Sequence, residues 1–178
     1  DPGDPNGATY LSFNSHLRAK PIPNGWLVTQ RIDRAGKVTE DAALGSYGVT
    51  AQYRVTVPGL DHQVASVFWE FMNSSSLVFV DGAYVNEQLF LNPFYATGYP
   101  IIEPYFAQVK VADEIRTVLV QCFERRCMTW TPGNSPGFET EAGNVGLHYR
   151  YWRYILIPDE GNPTATATGS PTETATET

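Results

Sequence analysis

Long apolar runs are missing from this 178-residue chain. Its longest are four or five residues, far below the roughly 20 that cross a bilayer as a helix, so no membrane insertion is expected. Charge is scarce as well. Only 17% of residues are Asp, Glu, Lys or Arg, and they sum to −7. Binding to a nucleic-acid backbone needs an excess of cations to release counterions, and no such excess exists. Anionic lipid surfaces are disfavoured for the same reason. No His-Glu-x-x-His or glycine-rich phosphate loop occurs, which removes the usual signatures of metallopeptidase and phosphoryl chemistry. Glu103, Glu139 and Glu141 could serve a carboxylate pair, but any acidic chain contains such groups. With two Cys and three scattered His, a four-ligand zinc site has no recognisable spacing. The expectation is therefore a protein that is not an enzyme, with no catalytic residue, metal or cofactor.

The two ends suggest where the protein works. The opening DPGDPNGATY has no initiator Met, basic region or apolar leader. It is expected to be a mature terminus left by signal cleavage, the alternative being a mere cut point. The closing PTATATGSPTETATET alternates hydroxyl residues with small or acidic ones. In an extended chain Thr164, Thr166, Thr168, Ser170, Thr172, Thr174, Thr176 and Thr178 would all point one way. These eight are candidate O-glycosylation positions on a stalk, and a plain flexible linker is the alternative reading. Asn73-Ser74-Ser75 is a valid acceptor for an N-linked sugar at Asn73, whereas Asn162-Pro163-Thr164 is blocked by its proline. A secreted or cell-surface location follows as an expectation.

Between the ends the chain reads as β-rich and mostly antiparallel, with one clear amphipathic helix and room for a second short one, an α+β pattern. TYLSFNSHL, GWLVTQRI and GVTAQYRVTV read as strands, so antiparallel structure is expected over residues 9–57. The third alternates most clearly: Val49, Ala51, Tyr53, Val55 and Val57 share one face until Pro58-Gly59 ends it. In DHQVASVFWEFMN the apolar spacing changes to three and four. A helix is expected over most of 62–73, capped by Asp61 and burying Val64, Phe68 and Phe71. Asp81-Gly82 between apolar runs marks a type I′ hairpin. YFAQVKV and RTVLVQCFE form a second hairpin around ADEI, and MTWTP is a further short strand. NVGLHYRYWRYI is ambiguous between helix and strand. The expected organisation is a β-rich lobe at 1–59, a helix-plus-hairpins module at 60–158, and an extended Thr/Pro-rich tail at 159–178.

Cys122 and Cys127 lie five apart and would face opposite ways on one strand. A disulfide between them requires a bulge, a bend or a turn through FERR. The alternative is two separately buried thiols packing as small apolar groups. Glu124 and Arg126 would share a strand face and form an ion pair that fixes a loop. Trp26, Trp69, Trp130 and Trp152, with ten Tyr, suit either core packing or stacking on sugar faces. Asn134, Glu139, Glu141, Asn144 and His148 are expected to satisfy backbone groups where Gly143 and Gly146 let the chain turn.

TGYPIIEPYF at 97–106 and VLVQCFERRCMTWTPGNSPGFETEAGNVGLHYRYWRY at 118–154, after the FWEFMN segment, resemble a module of secreted and surface proteins of Chloroflexota bacteria. The resemblance spans roughly residues 62–154. It is distantly similar to short repeats of actinobacterial cell-wall-associated proteins too. Cys127 stands where that module has an aliphatic residue, and Phe106 where it has Trp. The resemblance implies an extracellular habitat and no particular chemistry. The expected function is a structural module, self-assembling into a surface layer or filament, with other copies of the chain as partners. The alternative partner is cell-wall or environmental polysaccharide. Contact between copies is expected through the stretch before Phe13, taken to be free to reach a neighbour.

Overall fold

The computed structural model describes residues 4–111, 113–143, 146, 149, 150 and 154. The chain divides into two compact units, Asp1–Val145 and Gly146–Thr178. In the second, Gly146, Tyr149 and Arg150 are helical. The tail candidates from Thr164 to Thr178, and Asn144, His148 and Trp152, lie outside the described residues.

The first unit begins with α1 (Tyr10–Phe13), which runs into a 3₁₀ turn at Asn14–His16. Strands β1 (Gln30–Ile32) and β2 (Val38–Glu40) form a short hairpin, followed by a 3₁₀ segment at Ala42–Tyr47. Next come β3 (Ala51–Val57), β4 (Leu60–Ala65) and α2 (Ser66–Met72). Two hairpins follow: β5 (Ser75–Val80) with β6 (Ala83–Gln88), and β7 (Tyr105–Val111) with β8 (Glu114–Cys122). Strands β9 (Cys127–Trp130) and β10 (Thr140–Ala142) complete the order. The main sheet runs β10-β9-β8-β7-β1-β2, antiparallel except where β1 meets β7. The β3–β4 and β5–β6 pairs are separate two-stranded sheets.

The main sheet buries both faces, and side-chain alternation decides which residue goes where. Phe106 and Leu119 join Val55, Val64, Phe68 and Met72 in one core. Their neighbours Tyr105, Ala107, Val118 and Val120 join Phe13 and Ile32 in the other. The β3–β4 hairpin and α2 supply the cover for the first core, and α1 contributes Phe13 to the second.

Several expectations change. Residues 9–57 hold only three strands, and TYLSFNSHL is helical. There Ser12 Oγ accepts from Thr9 N–H at 3.0 Å and donates to the carbonyl of Arg34 at 2.6 Å. That local closure outcompetes a strand with no partner. The helix expected over 62–73 starts only at Ser66, because Leu60–Ala65 pairs with β3 across Pro58-Gly59. Asp61 caps nothing; it takes a two-pronged pair from Arg54 at 2.8 and 2.7 Å. Val64 and Phe68 are buried as expected, whereas Phe71 is exposed. The register shifts between Ala51 and Tyr53, and Tyr53 is partly exposed, stacked on Trp69. The boundary expected at residue 59 falls within the β3–β4 hairpin, and β1 shares a sheet with β7.

The hairpin at Asp81-Gly82 forms as expected. Both residues have positive φ, 49° and 85°, as a type I′ turn requires.

Candidate functional site

Two residues from the segments that carry the resemblance, Glu103 and Gln121, are buried and join neighbouring elements. Glu103, 1% exposed, accepts from Ile22 N–H at 2.9 Å and Gln63 N–H at 3.0 Å. His62 Nδ1 lies 3.1 Å from the same carboxylate, and its Nε2 lies 3.2 Å from the carbonyl of Leu17. Each ring nitrogen therefore faces an oxygen. Gln121 donates to the carbonyls of Gln63 and Ile102 and accepts from Ala65 N–H at 3.2 Å. This buried network clamps β4, β8 and two loops to one another. Closed to solvent, it offers a substrate no access. Tyr105 sits nearby, its phenol pushed up to about 12 by burial and by the Glu103 carboxylate.

Cys122 and Cys127 are bonded to each other. They are register partners on β8 and β9, because the chain turns through Phe123–Arg126. That turn also removes the expected Glu124–Arg126 strand face. Glu124 accepts instead from Tyr99 N–H at 2.9 Å, and Arg125 donates to the carbonyl of Tyr95. A Cβ on Gly98, where φ is 71°, would lie 2.6 Å from Glu124 Oε2, so glycine is required there on two counts. The loop is fixed, but by backbone groups rather than by an ion pair.

Beside the disulfide lies a cleft of about 420 Å³. Its apolar wall includes Phe13, Leu17, Ile101, Ile102 and Phe123, and Arg125 and Arg126 stand at it too. A second cleft of about 390 Å³ shares Leu17 and adds Arg18 and Lys20.

A contiguous exposed apolar surface lies on the β5–β6 hairpin. Leu77, Phe79 and Tyr84 share one face, by strand alternation and by the Phe79↔Tyr84 register. They are 66%, 63% and 70% exposed, and Leu91 just beyond is 99% exposed. Phe79 and Tyr84 meet edge to face at 5.1 Å. Among the described residues no other strand joins this pair, so both outer edges are unpaired. Nothing in the sequence analysis singled out this face. Its signal was the apolar residue at nearly every position of LVFV and AYV, where a solvated hairpin alternates.

The remaining expected residues scatter. Asn73 ends α2, and the side-chain nitrogen that an N-linked sugar would occupy donates to the carbonyl of Trp69 at 2.7 Å. Trp69 stacks on Tyr53 at 3.9 Å, and Trp130 meets Tyr47 edge-on at 6.1 Å. Trp26 is exposed. Asn134 donates to the carbonyl of Phe138 at 3.0 Å. The stretch before Phe13 is not free. Asp4 is buried and accepts from Asn6, Gly7 and Lys110 N–H groups, the last at 2.7 Å. Burial alone would raise its carboxyl, but these three bonds outweigh that and hold it below the usual range. Arg34 reinforces the anchor by donating to the carbonyls of Asp4 and Gly7.

Among the described residues no group of three or more His, Cys, Asp and Glu could hold a metal ion, and no helix is long and apolar enough to cross a membrane. Comparison with protein-family models, with curated proteins and with solved structures finds no match for this chain.

Proposed function

We propose that this protein is a non-enzymatic extracellular structural module whose copies associate through the β5–β6 hairpin into a surface layer or filament. The observation that carries this reading is the face formed by Leu77, Phe79 and Tyr84, exposed on a hairpin that no other strand joins among the described residues. An isolated two-stranded hairpin is marginal in water. Covering that face removes on the order of 400 Å² of apolar surface from water, an area at which exposed patches mark interaction sites. At about 25 cal/mol/Å² this is about 10 kcal/mol, comparable with the cost of association, so covering Leu91 and pairing the outer edges must contribute to a stable contact. The disulfide supports an oxidising compartment, as secretion provides. The Thr/Pro-rich tail, read as a glycosylated stalk, fits the same location, and a kinship with surface modules of Chloroflexota bacteria belongs to the proposal.

The test is sedimentation of the full chain over a concentration series, alongside imaging by negative stain. Assembly that rises with concentration, and that Phe79→Asp abolishes while the circular-dichroism spectrum is kept, is the expected outcome. A monomer at all concentrations would sink the proposal. A second reading, binding of cell-wall or environmental polysaccharide, is favoured by Trp26, which is 66% exposed. Retention on insoluble polysaccharide that is lost in Trp26→Ala would select it.

A further inference from the structure

The proposed assembly needs a receptor for the hairpin, and the molecule carries one surface that matches it in both shape and charge. Between residues 75 and 91 the hairpin segment contains no Lys or Arg, and its charged groups are Asp81 at the tip and Glu87. Its apolar side chains project from a narrow two-stranded ribbon. The cleft beside the disulfide is the complement. Phe13, Leu17, Ile101, Ile102 and Phe123 give it an apolar wall, and its volume of about 420 Å³ suits one or two large side chains. At its border Arg126 is exposed and has no ion pair among the described residues, and Arg125 is committed only to the carbonyl of Tyr95. Arg18 and Lys20, beyond Leu17, extend the cationic border. Four of the 12 cations of a chain of net charge −7 flank these two adjoining clefts, and Asp61, which also lines the second, is already paired with Arg54.

Resting on the self-association reading, we infer that the hairpin of one copy seats Phe79 and Leu77 in the disulfide-side cleft of the next, with Asp81 facing Arg126. The acidic tip and the cationic border attract across such a contact. Packing two hairpins against each other would bring like charges together and leave the cleft arginines unanswered. Hairpin and cleft are different surfaces, so the contact is heterologous and propagates head to tail, as an open filament or a closed ring. The disulfide lies in the cleft wall, which makes an intact bond a condition of the receptor's shape.

The decisive experiment places a benzophenone-bearing phenylalanine at position 79 of the full chain. It is mixed with isotope-labelled chain, irradiated, and the linked peptides are sequenced by mass spectrometry. Expected are links between copies from position 79 to residues 13–17, 101–102 or 123–127. Arg126→Glu, folded by circular dichroism, is expected to weaken association about tenfold or more, and reduction of the disulfide to weaken it as well. Assembled material whose links join position 79 to another hairpin would overturn the cleft assignment while leaving self-association standing. Unchanged association in Arg126→Glu would overturn it too. A chain that stays monomeric at every concentration would overturn both.

Discussion

At the scale of single residues, the molecule depends on acceptors that serve several donors at once. Glu103 holds three partners, two on β4 and one in the Ile22 loop, with one carboxylate. Removing it strands a buried histidine and two backbone N–H groups, so Glu103→Ala is expected to cost about 3–5 kcal/mol. The urea midpoint should fall while the slope of the transition stays the same. Glu103→Gln retains an acceptor oxygen and should cost less. Tyr105 gives a pH signature. Its proton is held up to about 12 in the folded state, whereas an ordinary tyrosine loses its proton near 10. Between those values the folded state binds more protons than the unfolded one, so stability falls as pH rises. The contribution is present in full below pH 10 and amounts to about 2–3 kcal/mol lost by pH 12. Urea midpoints measured between pH 9 and 12 should show this decline, and Tyr105→Phe should flatten it.

At the scale of elements, legibility followed locality. Asp81-Gly82 announced its hairpin because a type I′ turn needs two adjacent residues that tolerate positive φ, a requirement contained in the dipeptide itself. The β7–β8 hairpin and β9 were legible through alternation for similar reasons. The start of α2 was not. Residues 60–65 carry apolar spacing open to either conformation, and only the availability of β3 as a partner made them a strand. The four-residue α1 is too short to establish a helical period, and its capping serine is also tied to a residue 22 positions away. The turn through Phe123–Arg126 shows how an element closes a crosslink: by reversing the chain it puts Cys122 opposite Cys127. A bridge around so short a loop stabilises by about 2 kcal/mol. Replacing both cysteines with alanine is expected to lower Tm by about 4–8 °C, read by differential scanning calorimetry.

At the scale of the whole molecule, the proposed extracellular self-association rests on an acidic, aromatic-rich chain with an exposed apolar hairpin and a Thr/Pro-rich tail. The tail yields a prediction independent of the fold. Intact protein from its native source should exceed the mass of the bare polypeptide by multiples of a sugar residue, and equality of the two masses would remove the glycan argument. Composition and short-range pattern by themselves determined the β-rich class, the β5–β6 and β7–β8 hairpins and the lack of a long apolar run, since each depends on neighbouring residues. Tertiary structure decided the rest. Asp4 reaches Lys110 across 106 positions, and Glu103 reaches His62 across 41. The expected freedom of the N-terminal stretch failed at the first of these contacts. The candidate site was likewise illegible, because a face becomes a docking surface only when no other part of the chain covers it. Burial is a property of the packed chain, and the residues around Phe79 would read the same in sequence had another strand lain across them.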